Sequence, residues 1–266
     1  MKIRKMVTIN TILNHGRKFM KRITNILFLS YLVTILLFPS GLSAGEVIYL
    51  KTETGESIEL YKGSYALVIG NRAYDPRDWS LLKNAVDDAK EVTKALKKHG
   101  FEVTLEKDLT SAEFNTVFHE FFNKFGKEEK NRILFYYSGH GYAKPNAWNP
   151  KSKIGYLVMT DTPDPDKDPG GFEANSFKSD DIVKFAEANV SAHHILFMFD
   201  SCFSGTVFET RDKPVPTAYI RDVVAHPVRQ FISAGGADET VPDNSEFKKV
   251  FLSLLNGNYP EAYIDG

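Results

Sequence analysis

Cysteine is almost absent from this sequence: Cys202 is the only one among 266 residues. An internal disulfide is therefore excluded. An unpaired thiol is either a reactive group or a buried, inert side chain that packs like a small apolar residue. The residues around this thiol, Asp-Ser-Cys-Phe-Ser-Gly at 200–205, favour a reactive group.

Acidic residues are absent from the first 44 positions, which contain seven Lys or Arg. A run of 13 mainly apolar residues at 26–38 leads to the small residues that end at Ala44. A membrane-spanning helix needs about 20 apolar residues, so this run has the length of the central region of a signal peptide instead. We expect residues 1–44 to be a signal peptide and the mature protein to be exported, to the periplasm or out of the cell. Residues 1–19 are interpreted as an upstream extension, because Met20 begins a more usual signal sequence.

Nucleic acids and membranes are not expected as partners of the mature chain. No cysteine directly follows the apolar run, which excludes lipid attachment there, so no stable membrane anchor is expected after signal cleavage. Beyond residue 44 the chain has 26 Lys or Arg against 34 Asp or Glu, a formal net charge of −8. This charge does not favour binding to nucleic acids or anionic membranes.

Two short apolar runs are each followed by a residue that could act in catalysis. Residues 195–199 predict a strand buried on both faces, and Cys202 follows shortly after it. Residues 133–137 predict a second such strand, which is followed by His140 between two glycines. The carboxyl ends of parallel strands meet at one edge of a sheet, so the imidazole and the thiol would come together there. Nucleophilic thiol catalysis needs this arrangement.

Strand and helix patterns alternate along the rest of the chain. Residues 47–50 and 57–61 predict an edge hairpin, and a polar insertion rich in proline at 142–178 predicts a surface loop with one short strand at 156–159. Further strands are predicted at 65–69, 101–105 and 228–234, and helices at 85–99, 110–125, 179–189 and 247–255. We therefore expect one α/β domain over residues 45–266, with a mainly parallel central sheet and helices on both faces.

Two motifs carry a resemblance to a known family. Tyr-Tyr-Ser-Gly-His-Gly at 136–141 and Asp-Ser-Cys-Phe-Ser-Gly at 200–205 resemble the His and Cys motifs of caspase-like cysteine peptidases, and most of all those of the metacaspase and bacterial caspase-domain branch. Residues 62–71 and 82–89 resemble the first strand and helix of that branch. The resemblance covers roughly residues 62–255 and implies a caspase-like three-layer fold. Relatives often continue further, so we expect a sequence truncated at its C-terminus.

The resemblance implies a cysteine-type endopeptidase that acts on proteins or peptides. Cys202 would be the nucleophile and His140 the base, and the backbone amides of Gly141 and Cys202 would form the oxyanion hole. Two alternatives stay open. One is a peptidase of the legumain or gingipain kind, and the other is a catalytically idle caspase-like module that binds other molecules.

Two acidic residues indicate which substrates the resemblance favours. Caspases that cut after Asp have Gln two residues before the cysteine, whereas this chain has Asp200 there, and Asp88 aligns with the acidic pocket residue of metacaspases. Two carboxylates would attract a cationic substrate side chain and repel an acidic one. We expect cleavage after Arg, then after Lys, and none after Asp. The alternative is that Asp88 is a solvated helix residue and Asp200 a cap on the following turn.

No cofactor or metal site is predicted, and calcium is the one alternative, because many metacaspases require it. Asp164, Asp180, Asp181 and Glu209 could supply oxygen ligands. Asp180 and Asp181 also fit the start of a helix, where carboxylates are favoured without any metal.

Overall fold

The computed structural model describes residues 47–51, 57–149, 153–201, 228–234, 243 and 246–258. The predicted signal peptide, the predicted nucleophile Cys202 and the proposed calcium ligand Glu209 lie outside the described residues. Export, signal cleavage and the domain limits at 45 and 266 therefore stay predictions.

The described part of the chain contains strands and helices in the predicted alternation. The strands are β1 (Ile48–Lys51), β2 (Ser57–Tyr61), β3 (Gly63–Gly70), β4 (Glu102–Lys107), β5 (Asn131–Ser138), β6 (Gly141–Pro145), β7 (Lys153–Val158), β8 (Ser176–Lys178), β9 (His194–Asp200) and β10 (Val228–Ser233). The helices are α1 (Ala85–Lys98), α2 (Ser111–Phe125), α3 (Pro169–Asn175), α4 (Ser179–Asn189) and α5 (Glu246–Leu255).

Five parallel strands form the central sheet, in the order β10–β9–β5–β3–β4. All residues of β5 and β9 are buried, which explains why both strands read as continuous apolar runs in the sequence. The predicted hairpin of β1 and β2 forms a separate antiparallel pair. The α/β fold class is confirmed.

Helices cover both faces of this sheet. On one face, Phe135 and Phe197 share a hydrophobic core with α2 and α4. On the other, Leu134 and Leu196 share a core with α1 and α5. Neighbouring residues of a strand point to opposite faces, so each strand contributes to both cores. The three-layer arrangement is also confirmed.

None of the helices in the described part of the chain has the length and apolar character needed to cross a membrane.

Helix α2 forms as its sequence predicts. The hydroxyl oxygen of Thr110 accepts a hydrogen bond from the backbone of Glu113, and the Glu113 carboxylate accepts one from the backbone of Thr110, which completes a capping box. The buried stripe that follows is aromatic: Phe114, Phe118, Phe121, Phe122 and Phe125.

The insertion differs from the predicted surface loop. Strands β6, β7 and β8 form an antiparallel sheet of their own, and α3 starts at Pro169 after the Asp168 side chain caps it. Phe172 of this helix is fully buried. Ser179 is the first residue of α4, and its hydroxyl donates to the Gly155 carbonyl at 2.8 Å. The insertion is therefore a packed layer beside the strand ends.

Candidate active site

The two predicted catalytic motifs leave the sheet from neighbouring positions. Strands β5 and β9 pair in parallel, and their register places Ser138 beside Asp200 at the carboxyl ends. Neighbouring strands lie about 4.8 Å apart. His140 is two residues beyond Ser138, and Cys202 is two residues beyond Asp200 in the sequence. Cys202 lies outside the described residues, so the structure describes one half of the predicted dyad.

Three hydrogen bonds fix the backbone of His140. Its N–H donates to the hydroxyl oxygen of Tyr74 at 2.9 Å. Its carbonyl accepts from the Val158 backbone at 3.1 Å and from the Tyr137 hydroxyl at 3.1 Å. A Cβ at Gly139 would lie 2.6 Å from the Tyr137 oxygen and 2.7 Å from the Tyr74 oxygen. Glycine is therefore required before His140, because the two phenols occupy the space of a side chain.

The His140 ring is fixed as well. Its Nε2 lies 2.6 Å from the carbonyl oxygen of Ser80. A carbonyl only accepts hydrogen bonds, so Nε2 carries the proton, and in the neutral ring Nδ1 is the basic nitrogen. The ring packs edge-on against Tyr74 at 4.7 Å between centroids and beside Trp79 at 5.4 Å. The Trp79 indole N–H donates to the carbonyl of Thr162 at 2.7 Å, which ties this wall of the site to the insertion.

The protonation of His140 follows from its surroundings. Burial lowers the pKa of the imidazole, while the Ser80 carbonyl and the charge of Asp243 act in the opposite direction. Asp243 also accepts hydrogen bonds from the backbone N–H groups of Lys83 and Asn84, which anchors it at the start of α1. A lowered pKa keeps the ring neutral, which is the form that can accept a proton.

The lowered pKa of His140 predicts that its imidazole titrates below the ordinary pH range of histidine. In a Cys202→Ala protein, where no thiolate acts on the ring, the imidazole of His140 should titrate with a midpoint below about 6.5. The folded protein would then bind this proton less tightly than the unfolded chain, so the free energy of unfolding should fall as the pH decreases below about 6.5. Imidazole ¹⁵N NMR measures the midpoint, with the signal assigned by its loss in His140→Gln. A midpoint above 6.5 would contradict the assigned surroundings.

The two predicted substrate-binding carboxylates lie on the same face of the sheet. Asp200 accepts a hydrogen bond from the Tyr136 hydroxyl at 2.8 Å. Burial raises the pKa of that phenol, and the charges of Asp200 and Asp88 add to the shift. Both carboxylates are therefore close enough to act on one buried group. Asp88 is 5% exposed, so it is not the solvated helix residue that the alternative interpretation required.

Asp88 also has a partner that the sequence did not reveal. The Lys248 ammonium group of α5 lies 2.6 Å from Asp88 and 2.7 Å from Glu91. Burial raises the pKa of Asp88, and the hydrogen bond from Lys248 works against that shift. The Asp88 charge is therefore paired with a cation inside the protein.

Two of the carboxylates considered for calcium have other partners in the structure. Asp164 accepts from the backbone of Asp166 and lies 3.4 Å from Lys167, and Asp181 lies 3.5 Å from Lys184. Within the described ranges, no three His, Cys, Asp or Glu side chains are grouped so that they could hold a metal ion. Glu209 lies outside the described residues, so the calcium alternative stays a prediction, and we derive no step through it.

Sequence reasoning missed the groups that hold His140. Tyr74, Trp79 and Ser80 belong to the segment between β3 and α1, for which nothing was predicted. They carry no motif, and they reach His140 across about 60 residues of chain. The single sign of their importance in the sequence was that they directly precede residues 82–89, the segment that resembles the family's first helix.

Solved structures that match this chain include two caspase structures. Caspase-1 from Spodoptera frugiperda is 16% identical, with 73% of this chain and 70% of that chain covered and a TM-score of 0.48. The structure of pro-Sf-caspase-1 is 15% identical, with 63% and 60% covered and a TM-score of 0.38. A protein from Geobacter sulfurreducens is 24% identical, with 54% and 52% covered and a TM-score of 0.40, so the matched region spans about half the length of that protein.

One protein family matches most of the chain. No curated protein matches the chain significantly. The caspase domain, of peptidase family C14, matches residues 64–252, which is most of the sequence and includes both predicted catalytic motifs. The chain belongs to the caspase domain family, a family of cysteine peptidases.

Proposed function

We propose that the protein is an endopeptidase that uses Cys202 as nucleophile and His140 as base, and that it cleaves after Arg or Lys. The observation that supports this proposal most strongly is the parallel register of β5 and β9. Because of this register, both motifs leave the sheet from paired residues at the same edge. The orientation of His140 is the second support, because its fixed Nε2–H leaves Nδ1 as the nitrogen that accepts a proton.

The proposed reaction has two stages. Nδ1 of His140 takes the proton of the Cys202 thiol, and the thiolate attacks the carbonyl carbon of the substrate. The backbone amides of Gly141 and Cys202 stabilise the oxyanion, and the imidazolium then gives its proton to the leaving amine. Water hydrolyses the thioester in the second stage, with His140 again as base. The carbonyl of Ser80 stabilises the imidazolium in both stages, since it accepts from Nε2–H.

The substrate preference rests on Asp200 and Asp88. A cationic side chain that reached these carboxylates would compete with Lys248 for Asp88 and would share Asp200 with the hydroxyl of Tyr136. Guanidinium can bind a carboxylate through two parallel hydrogen bonds and ammonium cannot, so Arg should be preferred over Lys.

Hydrolysis of matched fluorogenic peptides tests this preference. A peptide ending in Arg should be cleaved with a kcat/KM at least about 10³-fold above that of the same peptide ending in Asp, and the Lys peptide should fall between them. Asp200→Asn should lower Arg cleavage by about 100-fold, because a desolvated charge pair is lost. Asp87→Asn is the matched control, since Asp87 is an exposed carboxylate on the same helix as Asp88. Preference for the Asp peptide would overturn the assigned pocket.

A further inference from the structure

Two buried phenols meet directly behind His140. The hydroxyl oxygens of Tyr74 and Tyr137 lie 3.3 Å apart. Both reach the carbonyl of Val158, Tyr137 at 2.6 Å and Tyr74 at 3.1 Å. Burial raises the pKa of both phenols, so both stay protonated at any pH where the protein is folded and active. Each hydroxyl therefore has one proton to donate and lone pairs to accept.

The number of protons fixes the role of Tyr74. The Tyr137 proton is shared between the Val158 carbonyl at 2.6 Å and the His140 carbonyl at 3.1 Å. The Tyr74 proton has two acceptors available, the Val158 carbonyl and the Tyr137 oxygen. The remaining contact is the N–H of His140 at 2.9 Å, and that group can only donate. The Tyr74 oxygen is therefore the acceptor for the backbone of His140.

The same chain segment holds His140 at two points. Tyr74 binds its backbone N–H, and Ser80, six residues later, binds its ring Nε2–H. The Tyr74 ring also packs against the imidazole. A shift of His140 by 1 Å would carry Nδ1 away from the productive position, and misplacement of this size can cost about 100-fold in rate.

We propose that Tyr74 is a positioning residue, whose hydroxyl holds the backbone of His140 so that Nδ1 is directed at the thiol of Cys202. The inference rests on the proposed function and adds to it a residue outside both catalytic motifs. Without the hydroxyl, the N–H of His140 would be buried without this acceptor, and the residue would relax toward another partner.

The variant Tyr74→Phe removes the hydroxyl and keeps the ring. We expect kcat for the Arg peptide to fall by about 10- to 100-fold with KM within about twofold, when kcat is referred to the folded fraction measured by circular dichroism. Tyr156→Phe is the matched control: Tyr156 belongs to the same hydrophobic cluster, but its hydroxyl lies 3.3 Å from Glu173 and does not contact His140. Its kcat should be unchanged.

A second measurement separates positioning from loss of stability. Cys202 is the only cysteine, so iodoacetamide alkylation reports on that thiol alone. A misplaced imidazole should raise the thiolate fraction less, so folded Tyr74→Phe should be alkylated several-fold more slowly at pH 7 than the wild type and than Tyr156→Phe. Wild-type kcat and wild-type alkylation in Tyr74→Phe would overturn the inference. The proposed function fails by a different result, namely undiminished cleavage by Cys202→Ala.

Discussion

Replacement of Cys202 by alanine should abolish peptide hydrolysis. The expected loss in kcat is on the order of 10⁴-fold or more, because the nucleophile is removed and the chain has no second thiol that could replace it. The paired strands β5 and β9 end before this residue, so the central sheet and both hydrophobic cores should be unaffected. Initial rates of Arg-peptide cleavage, measured with the melting temperature of the same preparation, test both statements. Full activity in Cys202→Ala would show that the chemistry lies elsewhere.

His140→Ala should cause the second largest loss, about 10²- to 10⁴-fold in kcat. The variant lacks both the proton acceptor Nδ1 and the Nε2–H bonded to Ser80. It leaves a slot between the rings of Tyr74 and Trp79, so added imidazole should restore part of the rate.

His119→Ala is the matched control for this loss. His119 is exposed on α2 and packs against Phe118 and Phe185, away from the strand ends. Its removal should leave the rate within about twofold of the wild type, as for most surface substitutions. If His140→Ala were as active as His119→Ala, the assignment of His140 as the base of the dyad would be wrong.

The elements that local patterns determine were predicted correctly. Strands β5 and β9 are buried on both faces, so burial demands an unbroken apolar run, and such a run is visible in the sequence. Helix α2 carries its own start signal in Thr110 and Glu113. The insertion was predicted poorly because β6 and β8 are mostly half-buried, so neither strand needs the continuous apolar run that marks a fully buried one.

The candidate site was predictable only in part. His140 stands in a recognisable motif, but the groups that orient it come from other segments. Ser80 reaches it across 60 residues, and Asp243 is bound to Lys83 across 160 residues. Contacts of this kind depend on the completed fold, and no periodicity or spacing in the sequence predicts them. The ion pair of Lys248 with Asp88 is a further example.

Covalent labelling tests the central claim most directly, since it separates an active cysteine peptidase from an idle binding module. The folded wild-type protein is incubated with a peptidyl acyloxymethyl ketone that ends in Arg, and the product is mapped by mass spectrometry. The account predicts one equivalent of adduct on Cys202, no adduct on Cys202→Ala, and labelling at least about 100-fold slower for His140→Ala. A folded wild-type protein that is not labelled, or a label that persists in Cys202→Ala, would contradict it.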